Sequence, residues 1–423
     1  MLAKKINTIN VNIGKSPLLY AAIFLSIPFI IVFIYTHGLR SGIDPVFSVD
    51  EGKFHYPTIL QFANQLPFPD VRDYNSATTP LFHILLAIAS KVTGTELTHL
   101  RMVNFLITYA TVILFFKIII EQFKISFLSA LLFTLLFALS PYFFREAFVV
   151  LTDNLPVLWL ILFFQVYLKY KQTQHLRFFL WSLFFIMLLC LTRQTYLYVW
   201  LALVIDLAIG NTALKNKAGY IALSFVAIIP TLALFYVWKG LTPPSFIAVH
   251  TRTSLLNIKA VVYGFSVLGF YGLFITGANV YSPFFKSHRV KIVLAVLAAW
   301  VLIYFSPLIK AREDFGFLWY MASSLPKVAG TSLFFYIFSA LGAIIFLSAW
   351  QKEGLSFYLL FIMGLFLSEV PNKFIFQRYY DSSILIFLLF LTAKYHVSNK
   401  FKYSRLGALI VFFIAYFVVY TLA

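Results

Sequence analysis

Five short polar stretches interrupt an otherwise apolar chain, and each carries residue types that can do chemistry. In SVDEGKFHYP (Ser48–Pro57), Asp50 and Glu51 are adjacent carboxylates and His55 follows Glu51 by four. A carboxylate there can act as general base on a hydroxyl, and on a helix Glu51 and His55 would share one face. The plainer alternative is a capping box, Ser48-x-x-Glu51, that opens a short helix. NSATTPLFH (Asn75–His83) sets Thr79 before Pro80, the pattern of a helix N-terminus, which could also help hold an anion. YFFREAFVVLTDN (Tyr142–Asn154) spaces Glu146 and Asp153 two helical turns apart, suited to substrate hydroxyls or a cation. Alternatively Asp153 caps the helix that follows, with Pro156 in its first turn.

LTRQTYLYVW (Leu191–Trp200) places Arg193 and Gln194 inside a long apolar run. A charge there is costly and is by default a functional residue; the planar guanidinium suits bidentate phosphate binding. Its alternative is the exposed turn of a helical hairpin. NKFIFQRYYDSS (Asn372–Ser383) offers Arg378 as a second phosphate contact, with Tyr379 beside it as a substrate contact, or else as a snorkelling interfacial arginine. REDF (Arg312–Phe315) is a weaker signal.

The elements that must position these residues are membrane helices. Of 423 residues, 61% are hydrophobic and 11% charged, against about 25% charged in a soluble domain. A soluble globular chain and a disordered one are both excluded. Runs of spanning character occur at 17–36, 102–119, 126–144, 154–168, 176–192, 195–209, 219–238, 260–278, 290–306, 328–349, 355–369, 380–393 and 406–422. The expected fold class is all-α: a polytopic transmembrane helical bundle of about 13 spans, one integral-membrane domain over residues 1–423. The run 17–36 reads as a retained first span, not a signal peptide. The run 81–92 is too short to cross and reads as an interfacial or re-entrant helix in a long first external loop, 37–101.

A net charge of +18 is here a topology signal, not a sign of nucleic acid. With a cytoplasmic N-terminus, segments 1–16, 117–125, 169–177, 210–218, 279–291, 351–354 and 394–405 hold 18 of the 33 basic residues and only two acids, Glu121 and Glu353. That arrangement puts loop 37–101 and the active site on the extracytoplasmic face of a bacterial plasma membrane or the endoplasmic reticulum. Basic loops also attract anionic membrane lipids. The single cysteine, Cys190, forms no internal disulfide. No phosphate-binding glycine loop, HExxH or CxxC occurs, so neither ATP drive nor zinc hydrolysis has support. No metal site or cofactor is assigned, and a carboxylate-bound divalent cation stays open.

Taken together, the blocks resemble membrane glycosyltransferases of the GT-C superfamily, and most closely the dolichyl-phosphate-glucose α-1,2-glucosyltransferase family. DEGKFH (Asp50–His55) is similar to that family's DExFH, TTPLF (Thr78–Phe82) to TTPPGLY, YFF…LTD (Tyr142–Asp153) to YFF…YTD, and RQT (Arg193–Thr195) to RQTN. RYY (Arg378–Tyr380) is the only match in the second half. The first block carries one extra residue, and Tyr196 stands where the family has Asn.

The resemblance implies inverting transfer of a hexose, glucose in that family, from a polyprenyl-phosphate donor to an acceptor hydroxyl on a glycan, lipid or protein. Asp50 or Glu51 would be the base. Arg193, Gln194 and Arg378 would hold the donor phosphate. His55, Thr79, Glu146, Asp153 and Tyr379 would contact substrate. Two alternatives stand beside this one: a lipid-linked glycan flippase or transporter, and an enzyme of the same superfamily using mannose or a pentose.

Overall fold

The computed structural model describes residues 17–43, 45–210, 214–250, 256–276, 287–309, 316–395 and 403–422. The REDF stretch, the N-terminal basic segment 1–16 and most of the basic stretches around 211–213, 277–286 and 396–402 lie outside the described residues.

Almost every element is helical. After α1 (Pro17–Tyr35), the first long loop holds α2 (Pro45–Asp50), a π-turn (Glu51–His55), α3 (Tyr56–Gln65) and α4 (Leu81–Thr93). There follow α5 (Leu97–Phe123), α6 (Phe127–Ala138), α7 (Pro141–Glu146), α8 (Asn154–Thr173), α9 (Leu176–Thr192), a 3₁₀ turn (Gln194–Tyr196) and α10 (Leu197–Ile209). Next come α11 (Leu214–Val226), α12 (Ile229–Trp238), α13 (Pro244–His250), α14 (Ile258–Ile275), α15 (Arg289–Phe305) and α16 (Phe317–Ser323). A small antiparallel hairpin, β1 (Lys327–Val328) and β2 (Thr331–Ser332), precedes α17 (Leu333–Glu353), α18 (Phe357–Ser368), α19 (Arg378–Tyr395) and α20 (Tyr403–Phe417).

Among the described residues, five helices are long and apolar enough to cross a membrane: α1, α5, α14, α17 and Tyr403–Tyr420. Two helical stretches, Lys217–Val226 and Ile229–Trp238, make a sixth if their 45° bend is one broken span. This multi-pass helical architecture matches the expected class, while the count of thirteen is larger than length and composition establish. The apolar runs overstate helix length because chain chemistry breaks them. The run 126–144 stops at Ala138, and α7 restarts with Pro141 in its first turn, where a missing N–H costs nothing. The run 219–238 breaks before Pro230 for the same reason. At 13 residues, α4 is about 20 Å long, short of the roughly 30 Å hydrocarbon core.

Burial sorts the helices. The outer helix α1 hides one stripe, Ala21, Leu25, Phe29 and Val32, and leaves Ile23, Ile27, Ile30, Ile31 and Ile34 exposed. A lipid-facing helix needs no polar outer face. By contrast, α19 is buried on nearly all sides from Tyr380 to Ala393, as expected of a central helix apolar all round. Its first residues, Arg378 and Tyr379, are thus delivered from the centre of the bundle to one end.

A close helix crossing joins α14 and α17 at Gly269 and Gly342. A Cβ on Gly269 would run into the Phe338 carbonyl, and one on Gly342 into the Phe265 carbonyl. Small residues permit such backbone approach in membrane bundles. Gly269→Ala is expected to lose about 1–3 kcal/mol or more through overpacking, read as a lower thermal midpoint in detergent.

The two ends of the bundle differ. At one end, Lys171 and Tyr167 of α8 both donate to Asp206 of α10, and Lys394 and Tyr395 of α19 both donate to Glu353 of α17. Both clusters tie helix C-terminal ends together. The polar stretches that carry chemistry collect at the other end.

Candidate active site

Five separate elements supply this end. Asp50 closes α2, Glu51 and His55 bound the π-turn, and Asp153 immediately precedes α8. Arg193 follows the last turn of α9, and Arg378 opens α19. A helix end leaves backbone groups unpaired, so polar side chains are tolerated there within an apolar bundle.

The adjacent carboxylates part company. Glu51 is 1% exposed. Its Oε1 accepts from Arg101 Nε at 2.9 Å and from the Val150 amide at 2.7 Å, and its Oε2 accepts from Arg101 Nη2 at 2.5 Å. Arg101 also donates to the Leu39 carbonyl at 3.1 Å. The capping box therefore does not form: Glu51 spends both oxygens on a strap linking the first loop, α5 and the segment before α8. Asp50 points elsewhere. Its side chain is 34% exposed and meets Arg378 Nη2 at 3.4 Å, a loose contact that leaves room for another partner.

Asp50, His55, Asp153, Arg193, Arg378 and Tyr379 line one cavity of about 310 Å³. Phe54, Phe246, Phe374 and Phe376 complete its walls. Asp153 makes no side-chain capping bond to α8; its carboxylate takes a hydrogen bond from Arg193. Both guanidinium groups lie near the Tyr379 ring, Arg193 at 5.1 Å and Arg378 at 5.6 Å from its centroid. One aromatic ring thus supports two like charges, each attracted to the ring quadrupole and each paired with an aspartate.

Arg193 and Arg378 also line a smaller chamber of about 20 Å³ with Glu146, Asp153, Glu369, Ser382 and Ser383, with room for little more than one water. Glu146 is buried, and its Oε1 has no hydrogen-bond partner. Burial first, then the Asp153 charge, holds this carboxyl well above the usual carboxylate range. Glu146 and Asp153 thus meet in one chamber without sharing a helix.

The RQT and TTPLF blocks meet through backbone contacts. Gln194 Oε1 accepts from the Thr79 amide at 3.1 Å, and Gln194 Nε2 donates to the Ala77 carbonyl at 2.8 Å and the Leu241 carbonyl at 3.1 Å. Thr79 is fully buried, and its hydroxyl donates to the Cys190 carbonyl at 2.9 Å. Thr79 therefore stands behind the cavity wall, and Gln194 borders the cavity with its amide already engaged. Both splice the first loop to the α9–α10 turn.

Sequence pattern does not single out Arg101, Glu369 or His83 as site residues. Arg101 and Glu369 are charges bordering apolar runs, a signal that could have flagged them. His83 ends the NSATTPLFH stretch with no spacing to distinguish it.

An apolar groove of about 470 Å³ adjoins the cavity and shares Gln194, Thr195, Thr242 and Asn372 with it. Leu197, Trp200, Leu201, Leu232, Phe235 and Leu367 line the groove. Among the described residues, no three His, Cys, Asp or Glu side chains group as metal ligands.

Two solved structures are similar to this chain. One is ArnT from Cupriavidus metallidurans bound to undecaprenyl phosphate: TM-score 0.49 and 14% identity, over 92% of this chain and 62% of that one. The other is the archaeal oligosaccharyltransferase AglB from Archaeoglobus fulgidus, in complex with an inhibitory peptide and a dolichol-phosphate: TM-score 0.43 and 14% identity, over 96% of this chain and 54% of that one. This chain spans less than two thirds of the length of either. No family model matches the sequence, and no curated protein matches it.

Proposed function

We propose that this protein is a membrane glycosyltransferase that moves a sugar from a polyprenyl-phosphate donor to an acceptor hydroxyl. The observation that carries the reading is the meeting of an open carboxylate, Asp50, and two guanidiniums, Arg193 and Arg378, on one cavity that continues into an apolar groove. An amphipathic donor with a long apolar tail, an anionic phosphate and a polar sugar fits that sequence of surfaces.

The isoprenoid tail lies in the groove beside Trp200 and Phe235. The phosphate sits against Arg193 and Arg378, near the N-terminus of α19, where the helix dipole also favours an anion. The sugar occupies the cavity. The acceptor oxygen attacks the anomeric carbon while Asp50 takes its proton, and the bond to the phosphate oxygen breaks with its electron pair leaving on phosphate. The guanidiniums stabilise that growing charge. A single displacement inverts the anomeric centre. Asp153 exchanges Arg193 for an acceptor hydroxyl once phosphate arrives, and Glu146 lines the chamber beside it. Glu51, Thr79 and Gln194 act as supports of this site.

The resemblance of the DEGKFH, LTD and RQT blocks favours glucose as the sugar, with mannose or a pentose as alternatives. The distribution of basic loops favours an extracytoplasmic site. The acceptor is a glycan, lipid or protein hydroxyl.

Purified protein offered radiolabelled polyprenyl-phosphate glucose or mannose with a membrane lipid extract is expected to yield a new glycosylated product. Folded protein that makes no product from either sugar but moves lipid-linked glycan across vesicles would replace transfer by transport. Arg378→Gln is expected to weaken binding of polyprenyl phosphate about ten- to a hundredfold, measured by titration in detergent. An unchanged affinity would remove Arg378 from the phosphate site.

A further inference from the structure

Two imidazoles meet at the edge of the cavity. His55 Nδ1 and His83 Nε2 are 3.0 Å apart, with ring planes 26° from parallel. His55 lines the cavity. His83 lies behind it, fully buried, with the rings of Phe62, Tyr74 and Phe82 around it.

One proton lies between the two nitrogens, and its owner follows from the far side of His83. His83 Nδ1 is buried and has no hydrogen-bond partner. A buried N–H with no acceptor is rarer than an acceptor with no donor. His83 Nδ1 is therefore the bare nitrogen, and His83 carries its proton on Nε2 and donates it to His55 Nδ1. A neutral His55 that accepts at Nδ1 must carry its own proton on Nε2, the ring nitrogen left for the cavity.

The surrounding groups keep the pair neutral. Arg378 and Arg193 face His55 across the cavity, with Asp50 and Asp153 beside them, and Tyr74 stands next to His83. Burial first, then the charges of Arg378 and Arg193, push the His55 imidazolium down to about 3. Burial and the neighbouring His55 also lower His83. His55 therefore stays neutral between pH 5 and 8.

We propose that His83 is a positioning residue that locks His55 as a neutral Nε2–H donor facing the cavity, for an oxygen acceptor on the substrate. The identity of that oxygen, on phosphate or on sugar, rests on the transfer reading; the tautomer does not. A fixed neutral donor would orient substrate without adding a third cation beside the two arginines.

Ring ¹⁵N shifts of histidine-labelled full chain in detergent, assigned with His55→Asn, test the tautomer without substrate. The expected spectrum has His55 as the Nε2–H form at every pH from 5 to 8. A His55 that is protonated at pH 7, or that carries its proton on Nδ1, overturns the proposal. His83→Gln, which keeps a side-chain donor, is expected to preserve the tautomer, whereas His83→Phe leaves His55 sampling both forms.

Titration with polyprenyl phosphate and with polyprenyl-phosphate glucose then separates the two oxygens. His83→Phe is expected to weaken binding of the sugar-bearing ligand, alone or together with polyprenyl phosphate, about three- to tenfold, with His83→Gln restoring it. A loss with both ligands places the acceptor on phosphate; a loss with the sugar-bearing ligand alone places it on the sugar. Unchanged affinity for both, with the tautomer free, overturns the positioning role. Failure of both lipids to bind even the wild-type chain overturns the transfer reading and leaves the tautomer decided by the spectrum.

Discussion

Asp50→Asn is expected to lower turnover by about 10²–10⁴-fold, the usual worth of a positioned general base, while leaving the thermal midpoint and lipid-phosphate affinity near those of the wild type. The reason is geometric. Asp50 is the less buried of the two adjacent acids, and its ionic contact to Arg378 is a loose 3.4 Å. Asparagine keeps the shape and can still accept from Arg378, but it cannot take a proton at neutral pH. Single-turnover assays on purified variant, with thermal unfolding in parallel, separate chemistry from folding. Near-wild-type turnover would remove Asp50 from the reaction.

Glu51→Gln is expected to do the opposite and unfold the site. Removing one partner of a buried ion pair leaves an uncompensated charge and costs about 3–5 kcal/mol. Glu51 accepts two bonds from Arg101 and one from the Val150 amide, so the loss reaches the first loop, α5 and the segment before α8 together. The thermal midpoint should fall sharply, and the remaining activity should track the folded fraction. A double change, Glu51→Leu with Arg101→Leu, should recover part of the stability, because two matched apolar groups bury no charge. If Glu51→Gln instead kept the wild-type midpoint and lost all turnover, Glu51 would be the base and Asp50 its neighbour.

These two adjacent carboxylates also show how far sequence reading reaches. Type and spacing mark both as candidates, and nothing in DEGKFH separates them. Separation depends on Arg101, fifty residues later, which meets Glu51 only after α5 packs beside the first loop. Asp153 gives a second case. Local sequence offers a helix cap, but the carboxylate goes to Arg193, forty residues away, since a guanidinium in an apolar surround has more to gain from a carboxylate than the backbone amides at a helix start. Thr79 gives a third, its hydroxyl drawn to the Cys190 carbonyl rather than to its own helix.

Composition alone determined that the chain is helical and membrane-embedded, because an apolar solvent forces backbone groups to pair within each segment. Local residue type determined which short stretches carry chemistry, because charges in such a chain are expensive and therefore few. Helix lengths were less legible: Ser140–Pro141 and Pro230 divide runs that look continuous by hydropathy. Only the tertiary structure decided which acid faces a cavity, which arginines share one aromatic ring, and which histidine stands behind His55. Those outcomes are set by contacts between residues far apart in the chain, where burial and pairing act together and local pattern is silent.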